Sequence, residues 1–289
     1  MAHNDETTSA GAAVGWLLSL PMLFVIGLFF VLPILSVALI SFYGSAEGGV
    51  LIPELGFSAY EKFFTDPFSR EIVIRSIVLS LLVTLLACIL TYPIALYLYR
   101  TTSRWKGTLV LLTVSPLLLS AVVRTYSWML ILRPLEDFIR WIGFADIRLV
   151  NDYPGVVIGL THIMMPYMAL CLLSGFGKID PNVEDAASSL GATPARRFFR
   201  VTLPLSLPGV TLGCLLTFVL AISAFVTPAL LGGGRVFLLP TEIFTQALEI
   251  LDWPLASAMS MVLLGLFILT MGLIRVWDMR TRAKSGVLS

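Results

Sequence analysis

The sequence contains few charged residues. Of its 289 residues only 13% are Asp, Glu, Lys or Arg, whereas 57% are hydrophobic. Soluble domains carry about 25% charged residues, so this composition excludes an ordinary soluble protein and is typical of membrane proteins. The connections between the long apolar runs are also short, which leaves no room for a separate soluble domain.

Cysteine is scarce as well. The three cysteines, Cys88, Cys171 and Cys214, all lie in apolar segments, and none belongs to a C-x-x-C pair. This spacing predicts free buried thiols rather than disulfides. No other residues occur at metal-ligand spacing, so no bound metal is expected.

The chain also lacks the motifs of an enzyme. No nucleophile, base and orienting group occur together, so no catalytic residue is predicted. A P-loop is absent, because the one Gly-Lys pair, Gly177-Lys178, is followed by Ile179 and has Leu172 where the first glycine of the motif belongs. If the function needs ATP hydrolysis, we therefore expect it on another chain. We also expect no cofactor in this chain and no nucleic-acid partner.

What the sequence does contain is a series of long apolar runs. Each has at least 20 residues, the length at which an α-helix rising ~1.5 Å per residue crosses a hydrocarbon core ~30 Å thick. The runs predict an all-α polytopic membrane protein in which residues 1–289 form a single transmembrane domain. The six predicted spans are residues 16–42, 77–99, 109–132, 155–176, 210–231 and 255–274.

The basic residues are distributed unevenly over the two sides of the membrane. With six spans, both termini lie on one side, together with the loops 100–107 and 177–207. That side holds eleven of the 19 Lys and Arg residues, the opposite side holds seven, and Arg124 lies within a span. Because Lys and Arg near span ends are enriched on the cytoplasmic side, we predict cytoplasmic N- and C-termini and a cytoplasmic 177–207 loop.

This cytoplasmic loop carries two helix start signals. In Asp180-Pro181 and again in Thr193-Pro194, a capping side chain precedes a proline at the first helical position. The first helix is expected to cover residues 183–190 and to end at Gly191. The second is expected to end before Pro204.

The first of these helices has one polar face with small side chains. Helical spacing places four residues on it: Glu184, Ala187, Ser188 and Gly191. We expect another backbone to approach this face closely, and the opposite apolar side (Val183, Ala186 and Leu190) to rest on the protein. From the residues alone two interpretations stay open: a docking element for a cytoplasmic partner, and an interfacial helix-turn-helix that only links two spans.

The loop resembles the EAA loop of ABC-importer permeases. That pattern is Glu-Ala-Ala, three residues, Gly, nine residues, then Ile-x-Leu-Pro. This sequence has the same spacing from Asp185-Ala186-Ala187 through Gly191 to Val201-x-Leu203-Pro204. Asp185 replaces the glutamate and Val201 replaces the isoleucine. Since Glu184 precedes Asp185, the sequence leaves open which carboxylate fills the acidic position.

The resemblance extends over about residues 15–278. Segments outside the loop resemble the spermidine/putrescine-type branch of these permeases, and more narrowly the first of its two permease subunits. The matching segments are FSAYEKFFTDP (57–67), VVRTYSWMLIL (122–132), GLTHIMMPYMAL (159–170), LPLSLPGV (203–210) and AFVTPALLGG (224–233).

The resemblance implies a permease subunit of an ATP-driven importer in the bacterial cytoplasmic (inner) membrane, with a type I ABC-importer permease fold. The implied partners are a second homologous permease, a cytoplasmic ATPase dimer that binds ATP and Mg, an extracytoplasmic solute-binding protein, and membrane lipid. The implied cargo is a polyamine or a polyamine-like solute. Two alternatives stay open: another small organic cargo such as an opine or an amino-acid derivative, and an ion-coupled secondary transporter.

The resemblance also implies a role for the loop. Its short helix would be a coupling helix that sits in a groove of the ATPase, whose movement would switch the permease between inward- and outward-facing states. The implied ATPase-coupling residues are Glu184, Asp185, Ala186, Ala187, Gly191, Arg196, Arg197, Leu203 and Pro204. For the two arginines, pairing with acids of the ATPase and anchoring at the lipid surface both stay open.

Arg124 is the one charged residue well inside a predicted span. A mid-membrane Arg costs ~2.5–3.5 kcal/mol on insertion scales and usually faces a bundle interior or a wet cavity. The residues predicted to line the translocation path or a gate are Ser120, Arg124, Ser127, Trp128, His162 and Thr227. The alternative for Arg124 is a structural role, such as snorkelling to the surface. His162 has no partner at metal-ligand spacing, so a helix-to-helix hydrogen bond is expected there.

Overall fold

The computed structural model describes residues 20–45, 51–143 and 147–284, and the side chains of Pro181 and of residues 274–284 lie outside the described set. In this part of the chain the protein is helical apart from one small hairpin. The helices are α1 (Leu20–Ile40), α2 (Ser58–Thr65), α3 (Pro67–Arg100), α4 (Lys106–Leu118), α5 (Ala121–Trp141), α6 (Tyr153–Phe176), α7 (Pro181–Ser189), α8 (Pro194–Ile222), α9 (Val226–Leu231), α10 (Leu239–Phe244) and α11 (Trp253–Lys284).

Within the described residues, five helices are long and apolar enough to cross a membrane. They are α1, α3, α6, α8 and the Trp253–Leu273 part of α11, and α4 with α5 forms a sixth candidate as a bent pair. Several helices extend beyond one end of the predicted apolar run, where polar residues continue the helix: α3 begins at Pro67 rather than at residue 77. Residues 16–19 of the first predicted span, and both chain termini, lie outside the described residues.

The predicted third span, residues 109–132, is not one straight helix. α4 and α5 are bent by 100° with respect to each other, and the two residues between them are extended, with ψ angles of 143° and 141°. Pro116 has no N–H to donate, and the Ser115 hydroxyl donates instead to the Leu112 carbonyl at 3.0 Å. The proline therefore ends the regular hydrogen bonding of α4 and opens the break.

The predicted fifth span, residues 210–231, is also divided, because α8 ends at Ile222 and α9 follows separately. The predicted helix end before Pro204 is wrong, since α8 continues through this proline. A π turn, Phe198–Thr202, comes directly before it and has the Leu203 N–H donating to the Phe198 carbonyl. The wider turn accommodates a residue that has no N–H and whose ring would crowd a regular preceding turn.

The described helices belong to two compact units. The first contains the described residues up to Asp66 and residues Ile243–Val262. In this unit two short strands, β1 (Tyr43–Ser45) and β2 (Leu51–Leu55), pair in an antiparallel hairpin. The hairpin is followed by α2.

The second unit contains Pro67–Glu242 and the described residues from Leu263 onward. Its core lies among α3, α6 and α8. A Cβ atom on Gly175 of α6 would come within 2.6 Å of the Gly209 Cα of α8, so the two backbones are in direct contact. Small residues at helix crossings are typical of membrane proteins, where close packing replaces the hydrophobic driving force. Both candidate sites lie in this unit.

Candidate functional site

The short loop helix α7 has the ends that the sequence predicts. The Asp180 carboxylate accepts a hydrogen bond from the Asn182 N–H at 2.9 Å and caps the first turn. At the other end, Gly191 adopts a φ of 78°, the left-handed conformation that lets a helix stop. The second start signal is present too, because the Thr193 hydroxyl accepts a hydrogen bond from the Arg196 N–H at 3.4 Å.

The side chains of α7 are not buried in the pattern that the sequence predicts. Glu184, expected to face a partner, accepts a hydrogen bond from Arg100 at the end of α3, and the exposed Ser188 accepts one from Arg197 of α8. Leu190, expected to rest on the protein, is 88% exposed, and Val183 is 42% exposed. The prediction that the apolar side rests on the protein is therefore wrong, and on the predicted polar face Ser188 and Gly191 are exposed while Glu184 and Ala187 are half-buried. The Glu184 carboxylate lies beside the Arg100 guanidinium on the side of α7 that contacts the rest of the protein.

Glu184 joins α7 to two membrane helices. The Arg100 Nη2, at the end of α3, donates to both of its carboxylate oxygens at 2.9 and 3.1 Å. The Thr202 hydroxyl, in the π turn of α8, donates to Oε1 at 2.6 Å. Burial raises the pKa of Glu184, but the hydrogen bonds from Thr202 and Arg100 outweigh it and hold the pKa below its ordinary value. The carboxylate is therefore charged at neutral pH.

The other predicted coupling residues are either exposed or half-buried. Asp185 and Arg196 are exposed, and neither side chain has a hydrogen bond or ion pair with a described residue. Arg197 is half-buried and donates from Nη1 to the Ser188 hydroxyl at 2.6 Å. Ala186, Gly191 and Pro204 are exposed, whereas Ala187 and Leu203 are half-buried.

A second cluster of polar residues lies between α5, α6 and α9. The Trp128 Nε1 of α5 donates to the His162 Nδ1 of α6 at 3.1 Å, with the ring centroids 5.3 Å apart and the rings edge to face. This confirms the helix-to-helix hydrogen bond expected for His162. Because an indole N–H only donates, Nδ1 must accept, and the imidazole is the neutral form with its proton on Nε2.

Thr227 of α9 joins the same region through a residue that sequence reasoning missed. Its hydroxyl lies 3.0 Å from the Thr125 hydroxyl of α5, and both side chains are buried. Gly159, one turn before His162 in α6, allows the approach, since a Cβ there would come within 3.3 Å of the Thr227 Cγ2. The sequence contains no signal for Thr125 apart from its place beside Arg124.

Arg124 lies in the first turn of α5, directly after the break, rather than deep in a continuous span. It is only 8% exposed, and its Nε and Nη1 have no hydrogen-bond partner among the described residues. A cation at a helix N-terminus is unfavourable, and buried donors are almost always paired. Burying the Arg124 side chain at this position is therefore expected to lower the free energy of unfolding.

The predicted polar stripe of α5 is only partly present. Ser120 precedes the helix at the break and is exposed. Ser127 is exposed too, and its hydroxyl donates to the Val123 carbonyl of its own helix at 2.9 Å. The break shifts the start of the helix, so the four-residue spacing from Ser120 does not place it with Arg124. The cluster consists of Arg124, Thr125, Trp128, His162 and Thr227.

The loop helix α7 and the polar cluster lie in a chain of long apolar helices. The family described as a binding-protein-dependent transport system inner membrane component matches residues 7–283. The chain belongs to this family. The permease is therefore a multi-pass component of the inner membrane that serves transport, and by its family it is not an enzyme. In the part of the chain that the structure describes, no three His, Cys, Asp or Glu residues are grouped to hold a metal ion.

Relatives of the permease include polyamine permeases. The spermidine/putrescine transport system permease protein PotB of Escherichia coli strain K12 is 31% identical over 264 residues, which cover 89% of this chain and 92% of that protein. PotB of Haemophilus influenzae is 32% identical over 256 residues, or 86% and 88% of the two chains. The molybdenum transport system permease protein ModB of Mycobacterium bovis is 31% identical over 202 residues, or 69% and 76%. The resemblance to ABC-importer permeases is thus confirmed.

Solved structures share the fold. A bacterial ABC transporter involved in the import of the acidic polysaccharide alginate matches with a TM-score of 0.74 at 16% identity, covering 93% of the permease and 97% of that chain. A bacterial alginate ABC transporter in complex with its alginate pentasaccharide-bound periplasmic protein matches with a TM-score of 0.73 at 14% identity, covering 95% and 97%. The predicted all-α fold of a type I ABC-importer permease is confirmed.

Proposed function

We propose that the permease is one of two membrane subunits of an ATP-driven importer that carries a polyamine or polyamine-like solute into the cytoplasm. The observation that carries this proposal is the 31% identity over 264 residues to PotB, whose name assigns it to spermidine/putrescine transport. The remaining parts are a second homologous permease, a cytoplasmic ATPase dimer that binds ATP and Mg, and an extracytoplasmic binding protein. The solved relative in complex with its periplasmic protein supports the last of these.

In this proposal α7 and both termini lie on the cytoplasmic side. The distribution of Lys and Arg supports this orientation, with eleven basic residues on the side of α7 and seven on the other. It brings α7 to the side where ATP is available.

The contact with the ATPase is proposed to be the exposed surface of α7, here called the docking face, where Val183, Ala186 and Leu190 share one side and Asp185 is exposed on an adjoining side. All four side chains are exposed, and Leu190, at 88%, is the most exposed large apolar residue among them. Apolar side chains that fill a pocket of a partner carry much of the energy of an interface. Asp185 then fills the acidic position of the EAA pattern, because Glu184 is held inside the permease.

One wall of the translocation path is proposed to lie at the Trp128–His162 pair, with Arg124 and Thr227 beside it. The Trp128 ring is half-buried, and an indole face attracts ammonium groups. Arg124 repels a cationic cargo, so its proposed role is that of a gate next to the path rather than a contact for the cargo.

Reconstitution in lipid vesicles tests the proposed function. The permease, its co-purifying permease and its co-purifying ATPase are placed in the vesicles, and the binding protein is added outside with radiolabelled spermidine or putrescine. We expect uptake that requires both ATP inside and the binding protein outside. Uptake driven by an ion gradient without ATP would indicate a secondary transporter. ATP-dependent uptake of an opine or an amino-acid derivative, but not of polyamines, would contradict the proposed cargo.

Gly191 gives a prediction about the end of α7. Its φ of 78° favours glycine or asparagine, and no other atom lies within 4 Å of a Cβ placed there. Gly191→Leu is therefore expected to strain the backbone by about 1–2 kcal/mol and to displace Leu190, which weakens co-purification of the ATPase. Gly191→Asn, which tolerates this φ, is the matched control and should behave as the wild type. Equal loss in both variants would show that side-chain size at the interface, and not the backbone conformation, is what matters.

A further inference from the structure

Glu184 lies on the side of α7 that the docking face does not use. We propose that Glu184, Arg100 and Thr202, together called the Glu184 bridge, make α7 move as one body with the cytoplasmic ends of α3 and α8. The bridge would pass a displacement of α7 to the membrane helices. This inference rests on the proposed contact between α7 and an ATPase.

The geometry of the bridge joins three elements that are far apart in sequence. Arg100 lies 84 residues before Glu184, and Thr202 lies 18 residues after it. One carboxylate receives three hydrogen bonds, two from the guanidinium and one from the hydroxyl. Arg100 Nη2 also donates to the Thr202 hydroxyl at 3.2 Å, which closes the triangle. Displacing any one of the three residues relative to the other two therefore breaks hydrogen bonds to both.

The carboxylate side of the bridge is largely shielded from water. The Glu184 side chain is 14% exposed and Thr202 is fully buried, whereas the Arg100 side chain is 38% exposed. Ion pairs on an open surface contribute little, because water competes and two long side chains must be ordered. Around the largely buried Glu184 carboxylate, removal of a hydrogen-bond donor leaves the negative charge poorly compensated. The bridge is thus expected to hold α7 firmly.

Two further hydrogen bonds attach α7 to the same two helices, α3 and α8. The Tyr99 hydroxyl, beside Arg100, donates to the Ile179 carbonyl at 3.1 Å, just before α7 begins. Arg197 donates to the Ser188 hydroxyl near the end of α7. The helix is therefore attached to α3 at its start and to α8 at its end, with the Glu184 bridge between them.

Contacts between helices connect the Glu184 bridge to the polar cluster. α8 is in backbone contact with α6 at Gly209 and Gly175, and α6 carries His162 of the cluster. A rigid helix that shifts as a body carries motion over such a distance without requiring any bending of the loop. Spatial continuity alone does not establish coupling, so the test must measure coupling directly.

The experiment compares the intact complex carrying Arg100→Gln, Glu184→Gln, the double variant, and the charge-exchanged pair Arg100→Glu with Glu184→Arg. Arg104→Gln is the matched control, since it removes a positive charge from the same loop, where Arg104 lies over the Trp105 ring and does not contact Glu184. The measurements are ATPase co-purification, cargo taken up per ATP hydrolysed, and hydrogen–deuterium exchange of residues 181–190 in the permease alone.

We expect each single variant to lower uptake per ATP by about tenfold, to speed amide exchange in α7, and to leave ATPase co-purification unchanged. The double variant should be no worse than either single one, because both break the same bridge. The charge-exchanged pair should recover part of the coupling, and Arg104→Gln should match the wild type.

Unchanged uptake and unchanged amide exchange in the single variants would overturn the proposal. Loss of ATPase co-purification together with uptake, without recovery in the exchanged pair, would also overturn it, because the bridge would then only shape the docking face. If even the wild type binds no ATPase, the proposed function fails, while the exchange measurement on the permease alone still decides whether the bridge holds α7.

Discussion

Arg124→Met is expected to make the permease more stable and less active at the same time. The arginine is buried at the N-terminus of α5 with Nε and Nη1 unpaired, so its charge is uncompensated by any described hydrogen-bond acceptor. Replacement of buried charged groups by apolar ones of similar volume is often stabilising. We expect a gain of about 1–2 kcal/mol, which corresponds to roughly 2–3 °C in melting temperature for a chain of this length. Uptake should fall at least about tenfold if Arg124 acts as a gate.

Thermal unfolding in detergent and vesicle uptake measure the two effects. Arg133→Met is the control, since Arg133 is exposed on the same helix and its loss removes the same charge without touching the cluster. Arg124→Lys should not restore uptake fully, because a compact, strongly hydrated ammonium does not have the shape of the planar guanidinium. A lower melting temperature for Arg124→Met would show that the arginine holds the fold together, and normal uptake would remove it from the transport mechanism.

Leu190→Asp is expected to separate the permease from its ATPase. Leu190 is 88% exposed at the end of α7, so a polar replacement costs the permease little. Loss of a central apolar contact in an interface costs about 2 kcal/mol or more, which is roughly a 30-fold weaker association. The measurement is the apparent dissociation constant of the purified ATPase for the permease in nanodiscs.

Two controls sharpen this experiment. Leu190→Met keeps an apolar side chain of similar volume and should bind the ATPase normally. Asp185→Asn removes the charge but not the apolar surface of the docking face, so it should weaken binding less than Leu190→Asp. Wild-type affinity for Leu190→Asp would place the ATPase contact elsewhere and would refute the docking face.

The ends of α7 were predictable because the signals are local. Asp180 caps the N–H of a residue two positions away, and Gly191 needs only its own backbone freedom. Pro204 shows the limit of such rules. Its missing N–H is a local property, but the π turn before it lets the helix continue. No residue type in that turn indicates a π turn.

The orientation of α7 was not predictable from its own residues. Small residues beside one carboxylate suggested a docking face, but the sequence does not show that Arg100, 84 residues earlier, lies next to Glu184. The same holds for Thr125, whose partner Thr227 is 102 residues away. In both pairs the packing of helices, and not the spacing along one helix, brings the side chains together.

The sequence by itself determined the membrane class, the family and the position of the loop helix. These depend on long apolar runs, on motif spacing and on capping residues, all of which act over a few turns of chain. Only the tertiary structure decided that Glu184 is held inside while Leu190 faces outward, and that Arg124 is buried without a partner for two of its donors. The physical reason is that burial and pairing of a polar side chain depend on what neighbouring helices place beside it.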